Sequence, residues 1–124
     1  MSVTLEVPKA VLLLVGREDF DPPTSFGGRL CSATDDCLAI SVRHEHDGPV
    51  EVDLDPEASR AGLTEIGRFV LESEGLLSLR DVWGREHAGY GVEPGHATVT
   101  VWVDDEREPT RVVLGVAADR PPPV

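Results

Sequence analysis

The chain has 124 residues, 40% of them apolar, which is enough for one folded core and too apolar for a disordered segment. Its net charge of −12 comes from 23 acidic against 11 basic side chains. Such a surface repels nucleic acid and anionic membranes and favours basic partners or cations, so neither nucleic acid nor membrane is expected as a partner.

From the N-terminus, no basic start followed by an apolar stretch marks a secretory leader, so a cytoplasmic protein is expected. Val3, Leu5 and Val7 alternate with polar residues and predict a first strand. Ala10 to Val15 is a continuous apolar run, the pattern of a central strand covered on both faces. Gly16 to Gly28 contains Pro22, Pro23, Gly27 and Gly28 and reads as a loop, pinned to the core by Phe20 and Phe26. Cys31 and Cys37 are expected to stay reduced in the cytoplasm, although their spacing would let an oxidised pair close a small loop.

Cys37 to Arg43 and Val50 to Leu54 flank Asp47-Gly48, a hairpin signal. The alternation adds a condition. Leu38, Ile40 and Val42 share a face with Val50, Val52 and Leu54 only if the turn has an odd length, such as Asp47-Gly48-Pro49. A hairpin with a three- or five-residue turn and a bulge at Gly48 is therefore expected; with two residues in the loop the strands must instead serve different layers. Pro56 to Gly62 predicts one helical turn with Asp55 as its N-cap. Further strands are predicted at Glu65 to Leu71, Leu76 to Val82, Gly89 to Val92, Ala97 to Val103 and Arg111 to Val116, with Pro94-Gly95 turning into the most regular of them. The fold class is therefore all-β: a two-layer antiparallel β-sandwich of about eight or nine strands over residues 1–118, with a proline-rich tail at 119–124. The expected core is Val3, Leu5, Val11, Leu13, Ile40, Val42, Val52, Leu54, Phe69, Leu71, Leu77, Leu79, Val99, Val101, Val112 and Leu114.

Two constellations carry chemistry. Glu51, Asp53 and Asp55 alternate along one strand face, and Asp104, Asp105, Glu106 and Glu108 fill the turn before the last strand. Both fit a solvated outer surface, and both fit a contact for a basic protein, with Glu51, Asp53, Asp55, Asp104 and Asp105 as the contact residues. The second constellation is His44-Glu45-His46 with Glu51 five residues on. Histidines at i and i+2 project to one side of a strand, where a carboxylate can join them at a metal. This resembles the first metal motif of cupins, with Gly91 to His96 standing for the second; Leu38 and Ala58 occupy positions where cupins carry glycine. The resemblance implies one divalent transition metal held by His44, His46, Glu51 and His96. The other reading is a pair of solvated histidines at a hairpin tip. Nucleophile elbows, phosphate loops and dinucleotide fingerprints do not occur.

The order of segments carries a second resemblance. A valine-rich strand runs into the acidic turn at Val50 to Pro56, and a later strand closes on Glu74-Gly75. A Leu-Ser-Leu strand, a Val-x-Pro-Gly turn at Val92 to Gly95, alternating valines and a closing Arg111-Val112-Val113-Leu114 follow. From Leu38 to Val116 this resembles small β-sandwich proteins, common in high-GC bacteria, related to the competence-operon inhibitor of a DNA-entry nuclease. His96 and Gly115 stand where that resemblance would place Tyr and Trp. It implies a binding module without enzymatic activity or cofactor, an inhibitor or immunity-type partner of a basic enzyme such as a nuclease.

Overall fold

In a computed structural model, residues 2–54 and 59–118 are described. They form ten strands: β1 (Ser2–Leu5), β2 (Val11–Val15), β3 (Cys31–Ala33), β4 (Cys37–Ser41), β5 (Val50–Leu54), β6 (Thr64–Ser73), β7 (Leu76–Asp81), β8 (Glu86–Gly91), β9 (Gly95–Val103) and β10 (Arg111–Ala118). Two five-stranded sheets result, ordered β1-β5-β10-β9-β6 and β3-β4-β2-β7-β8. The all-β sandwich expected from the alternation is what the chain adopts, with ten strands rather than eight or nine. The tail at 119–124 and the N-cap proposed at Asp55 lie outside the described residues.

The core lies between the sheets. One wall is Val50, Val52 and Leu54 of β5, Val112 and Leu114 of β10, and Ala97, Val99, Val101 and Val103 of β9, all at most 1% exposed. The other is Leu12 and Leu14 of β2, Leu38 and Ile40 of β4, and Leu77 and Leu79 of β7, all fully buried. At about 1.5–3 kcal/mol for each such side chain removed from water, this double wall is the main source of stability. No helix among the described residues is long and apolar enough to cross a membrane.

Three expectations are corrected. First, β4 and β5 do not form a hairpin: they belong to different sheets, joined through residues 42–49, which include a 3-10 turn at Glu45–Asp47. Their apolar sets do face the same interior, but across the sandwich. Second, β5 pairs with β10 in parallel, Glu51 beside Arg111 and Asp53 beside Val113, so the sandwich is not wholly antiparallel. Third, β2 points Leu12 and Leu14 inward, not Val11 and Leu13. In a run apolar at every position the alternation has no phase, so the sequence does not mark the inner face. Val11 and Leu13 instead meet Phe20, Pro22, Pro23 and Phe26 around a hollow of about 410 Å³, which is how the long loop after β2 covers that strand's outer face.

The thiols are free and buried. Cys31 pairs with Ile40, three residues along β4 from Cys37. That is about 10 Å of strand, beyond the roughly 7 Å Cα separation that a disulfide tolerates. Burial pushes both thiols up to about 12.

Candidate functional site

The parallel pairing of β5 with β10 assembles an acidic cluster at one end of the sandwich. Arg111 opens β10 between two β5 carboxylates, its Nε 3.7 Å from Glu51 and its Nη2 3.5 Å from Asp53. Nη2 also donates to the Ser59 carbonyl at 3.3 Å. From the β9–β10 loop, Asp104 Oδ1 accepts the amides of Thr110 and Arg111 at 2.9 and 3.0 Å, and its Oδ2 accepts the Thr110 hydroxyl. Asp105 Oδ1 accepts the amides of Arg107 and Glu108 at 2.7 and 3.0 Å. Partial burial acts to raise the Asp104 carboxyl, but these donors hold it below its ordinary range. The Arg107 and Glu108 amides do the same for Asp105.

These contacts sort the acidic residues by task. Asp53 is mostly covered, its side chain 14% exposed, and Asp104 and Asp105 shape the loop with their carboxylates. Glu51 and Glu108 stand half exposed at the same end, and Glu106 is exposed. Exposed pairs such as Arg111–Glu51 contribute about 0–1 kcal/mol, so their effect is to position charge rather than to hold the fold.

His44 and His46 lie on the 3-10 turn rather than on a strand. The turn is capped by His44 itself, whose Nδ1 accepts the His46 amide at 3.2 Å. The two rings stack at 4.7 Å between centroids. Ligating atoms of His44, Glu45 and His46 all fall within 4.8 Å of one another. The turn adjoins the acidic loop: the Arg43 amide donates to the Pro109 carbonyl at 3.0 Å, and Arg43 Nε lies 3.9 Å from Glu108. His96 is elsewhere. It stands near the start of β9 opposite Glu72, whereas Val103 at the far end of that strand pairs with Val112, next to Arg111. Seven residues at about 3.3 Å each separate His96 from that end by about 23 Å. The structure therefore brings His44 and His46 together but leaves His96 far from Glu51, so the four-residue cupin-like set is not assembled.

A further polar cluster was not anticipated. Asp81, fully buried at the end of β7, accepts the Trp83 amide at 2.8 Å and the Arg85 amide at 3.2 Å through Oδ1. Its Oδ2 lies 2.8 Å from Arg85 Nε and 2.9 Å from His87 Nε2. Burial acts to raise this carboxyl; the His87, Arg85 and Trp83 donors outweigh it and hold it below its ordinary value. The result is a fixed β7–β8 turn that leaves Trp83 65% exposed. The signal was the turn chemistry of Asp81-Val82-Trp83-Gly84, an acceptor at the first position and a glycine with φ of 80° at the fourth.

Comparison with known proteins gives a match of fold. No family model matches the sequence, and no curated protein matches it. Among solved structures, the chain is similar to ComJ from Bacillus subtilis, described as an inhibitor of the DNA-degrading activity of NucA. The TM-score is 0.66 over 92% of each chain, at 9% sequence identity. The β-sandwich resemblance read from the segment order is thus matched by the architecture over 92% of the chain.

Proposed function

We propose that this chain is an acidic, cytoplasmic protein-binding module without enzymatic activity, an inhibitor or immunity-type partner of a basic enzyme such as a nuclease. The observation that carries the reading is the acidic end of the sandwich, where Glu51, Asp53 and Asp104 converge on Arg111 beside the half-exposed Glu108. Carboxylates held on paired strands and a capped loop are pre-organised, which lowers the ordering cost of binding a cationic groove and speeds encounter. Likeness of fold to a nuclease inhibitor supports the same reading. The contact is assigned to this acidic end: Glu51 and Glu108 present their half-exposed carboxylates, Asp53, Asp104 and Asp105 fix the strand and loop behind them, and Asp55, next in sequence after β5, is assigned with them. No cofactor is needed for this role.

Plasmid degradation by NucA and by a panel of basic nucleases, measured with increasing amounts of the chain, tests the proposal. Stoichiometric loss of degradation by at least one nuclease supports it. Undiminished degradation throughout the panel at hundredfold excess of the chain contradicts it.

A further inference from the structure

We propose that His44, Glu45 and His46 form a surface site for one divalent transition ion of the Zn²⁺, Ni²⁺ or Cu²⁺ class. The residues are consecutive, so the site needs no long-range assembly: one 3-10 turn delivers two imidazoles and a carboxylate with ligating atoms within 4.8 Å of one another. An ion bound at about 2.0–2.2 Å by nitrogen and oxygen requires donors roughly 3–3.5 Å apart. Side-chain rotation at this turn, where His46 is exposed and His44 and Glu45 are half-buried, closes that difference. The stacked rings already hold both imidazoles on one side of the turn.

The donor set selects the ion. Two imidazole nitrogens with one carboxylate suit borderline transition ions and not Ca²⁺ or Mg²⁺, which require oxygen. Nδ1 of His44 is engaged by the His46 amide. Binding gives up that bond by either route: Nε2 ligates only in the tautomer that protonates Nδ1, and Nδ1 ligates in place of the amide. Nearby charges offset one another: Asp47 lies on the same turn, Arg43 packs on Gly48 with Glu108 3.9 Å away, and Lys9 belongs to the adjacent turn Pro8–Ala10. Three protein donors leave coordination positions for water or for a side chain of a bound protein.

The test is a calorimetric titration of the untagged full chain with ZnCl₂, NiCl₂ and CuCl₂, with MgCl₂ and CaCl₂ as controls, and with histidine ring resonances followed by NMR. One ion per chain at micromolar affinity is expected, shifting the His44 and His46 resonances and leaving those of His87 and His96 in place. His46→Ala should weaken binding at least tenfold. His44→Ser should do the same, while its hydroxyl keeps an acceptor for the His46 amide so that the turn still folds. Glu45→Gln should weaken binding severalfold, and His96→Ala should leave it unchanged. Absence of saturation at millimolar ion overturns the proposal. So does affinity that survives both His44→Ser and His46→Ala in folded protein.

Discussion

Asp81 shows how one buried carboxylate can define a turn. Losing its charge weakens the contacts to Arg85 and His87 at once, but Arg85 is 63% exposed, so the cost falls short of that of a fully buried pair. About 1.5–3 kcal/mol is expected for Asp81→Asn, a loss of charged hydrogen bonds read from urea unfolding at pH 7. Because the folded carboxyl is held below its ordinary value, the unfolded chain takes up its proton first as pH falls. Its stabilisation is thus complete above the ordinary carboxylate range near pH 4 and is lost as pH drops through the depressed folded value. The stability gap between wild type and Asp81→Asn should accordingly narrow between pH 5 and pH 2.5; a constant gap would contradict this assignment. At the thiols, Cys31 and Cys37 are buried and pushed up to about 12. Neither should react with a thiol reagent such as DTNB at pH 8 until urea unfolds the chain, when both react. Prompt labelling of the native protein would show that the β3–β4 hairpin opens. The alternation in the sequence marked residues such as Val101 and Leu114 as core, but not Asp81: an isolated aspartate gives no sign of burial until its turn is recognised.

At the scale of elements, strand faces with strict alternation were legible and featureless runs were not. Val99, Val101 and Val103 are fully buried on β9, as their spacing predicts. Val101→Asp should therefore abolish cooperative folding, seen as loss of the thermal transition, because it buries an unpaired charge between the sheets. A folded variant would mean that the inner face of β9 is wrongly assigned. The end of β2 is tied to β6 by close backbone approach: the Gly16 carbonyl accepts the Glu74 amide at 2.9 Å, and a Cβ at Gly16 would lie 2.0 Å from the Glu72 carbonyl oxygen. Neither strand can yield without losing sheet pairing. Gly16→Ala should lower the melting temperature by several degrees or more, since about 1 kcal/mol corresponds to roughly 4–8 °C in a small domain. A melting temperature equal to that of wild type would show that the strands part freely. By its sequence pattern Gly16 falls in a loop with no sign of this contact, because Glu72 and Glu74 lie more than fifty residues away.

For the whole molecule, what escaped the sequence was the pairing of distant strands. Local turn chemistry at Asp47-Gly48 suggested a hairpin, yet the buried faces of β4 and β5 are satisfied across the sandwich, and β5 finds β10 in parallel instead. That pairing brings the acidic row of β5 to the acidic loop before β10, so the two halves of the candidate contact, each visible in the sequence, become one surface only in the fold. His96 illustrates the converse, a motif member carried to the other end by the direction of its strand. If the acidic end is the binding surface, reversing charge at the exposed Glu51 and Glu108 should leave stability nearly unchanged, because these residues form only weak surface pairs. Binding should nevertheless fall steeply. The most direct measurement is the affinity of wild type and of Glu51→Lys/Glu108→Lys for a nuclease that the chain inhibits, determined at several salt concentrations. At least a tenfold loss in the variant is expected, together with a wild-type affinity that declines with salt. Equal affinities, independent of salt, would contradict this assignment and move the contact to another face.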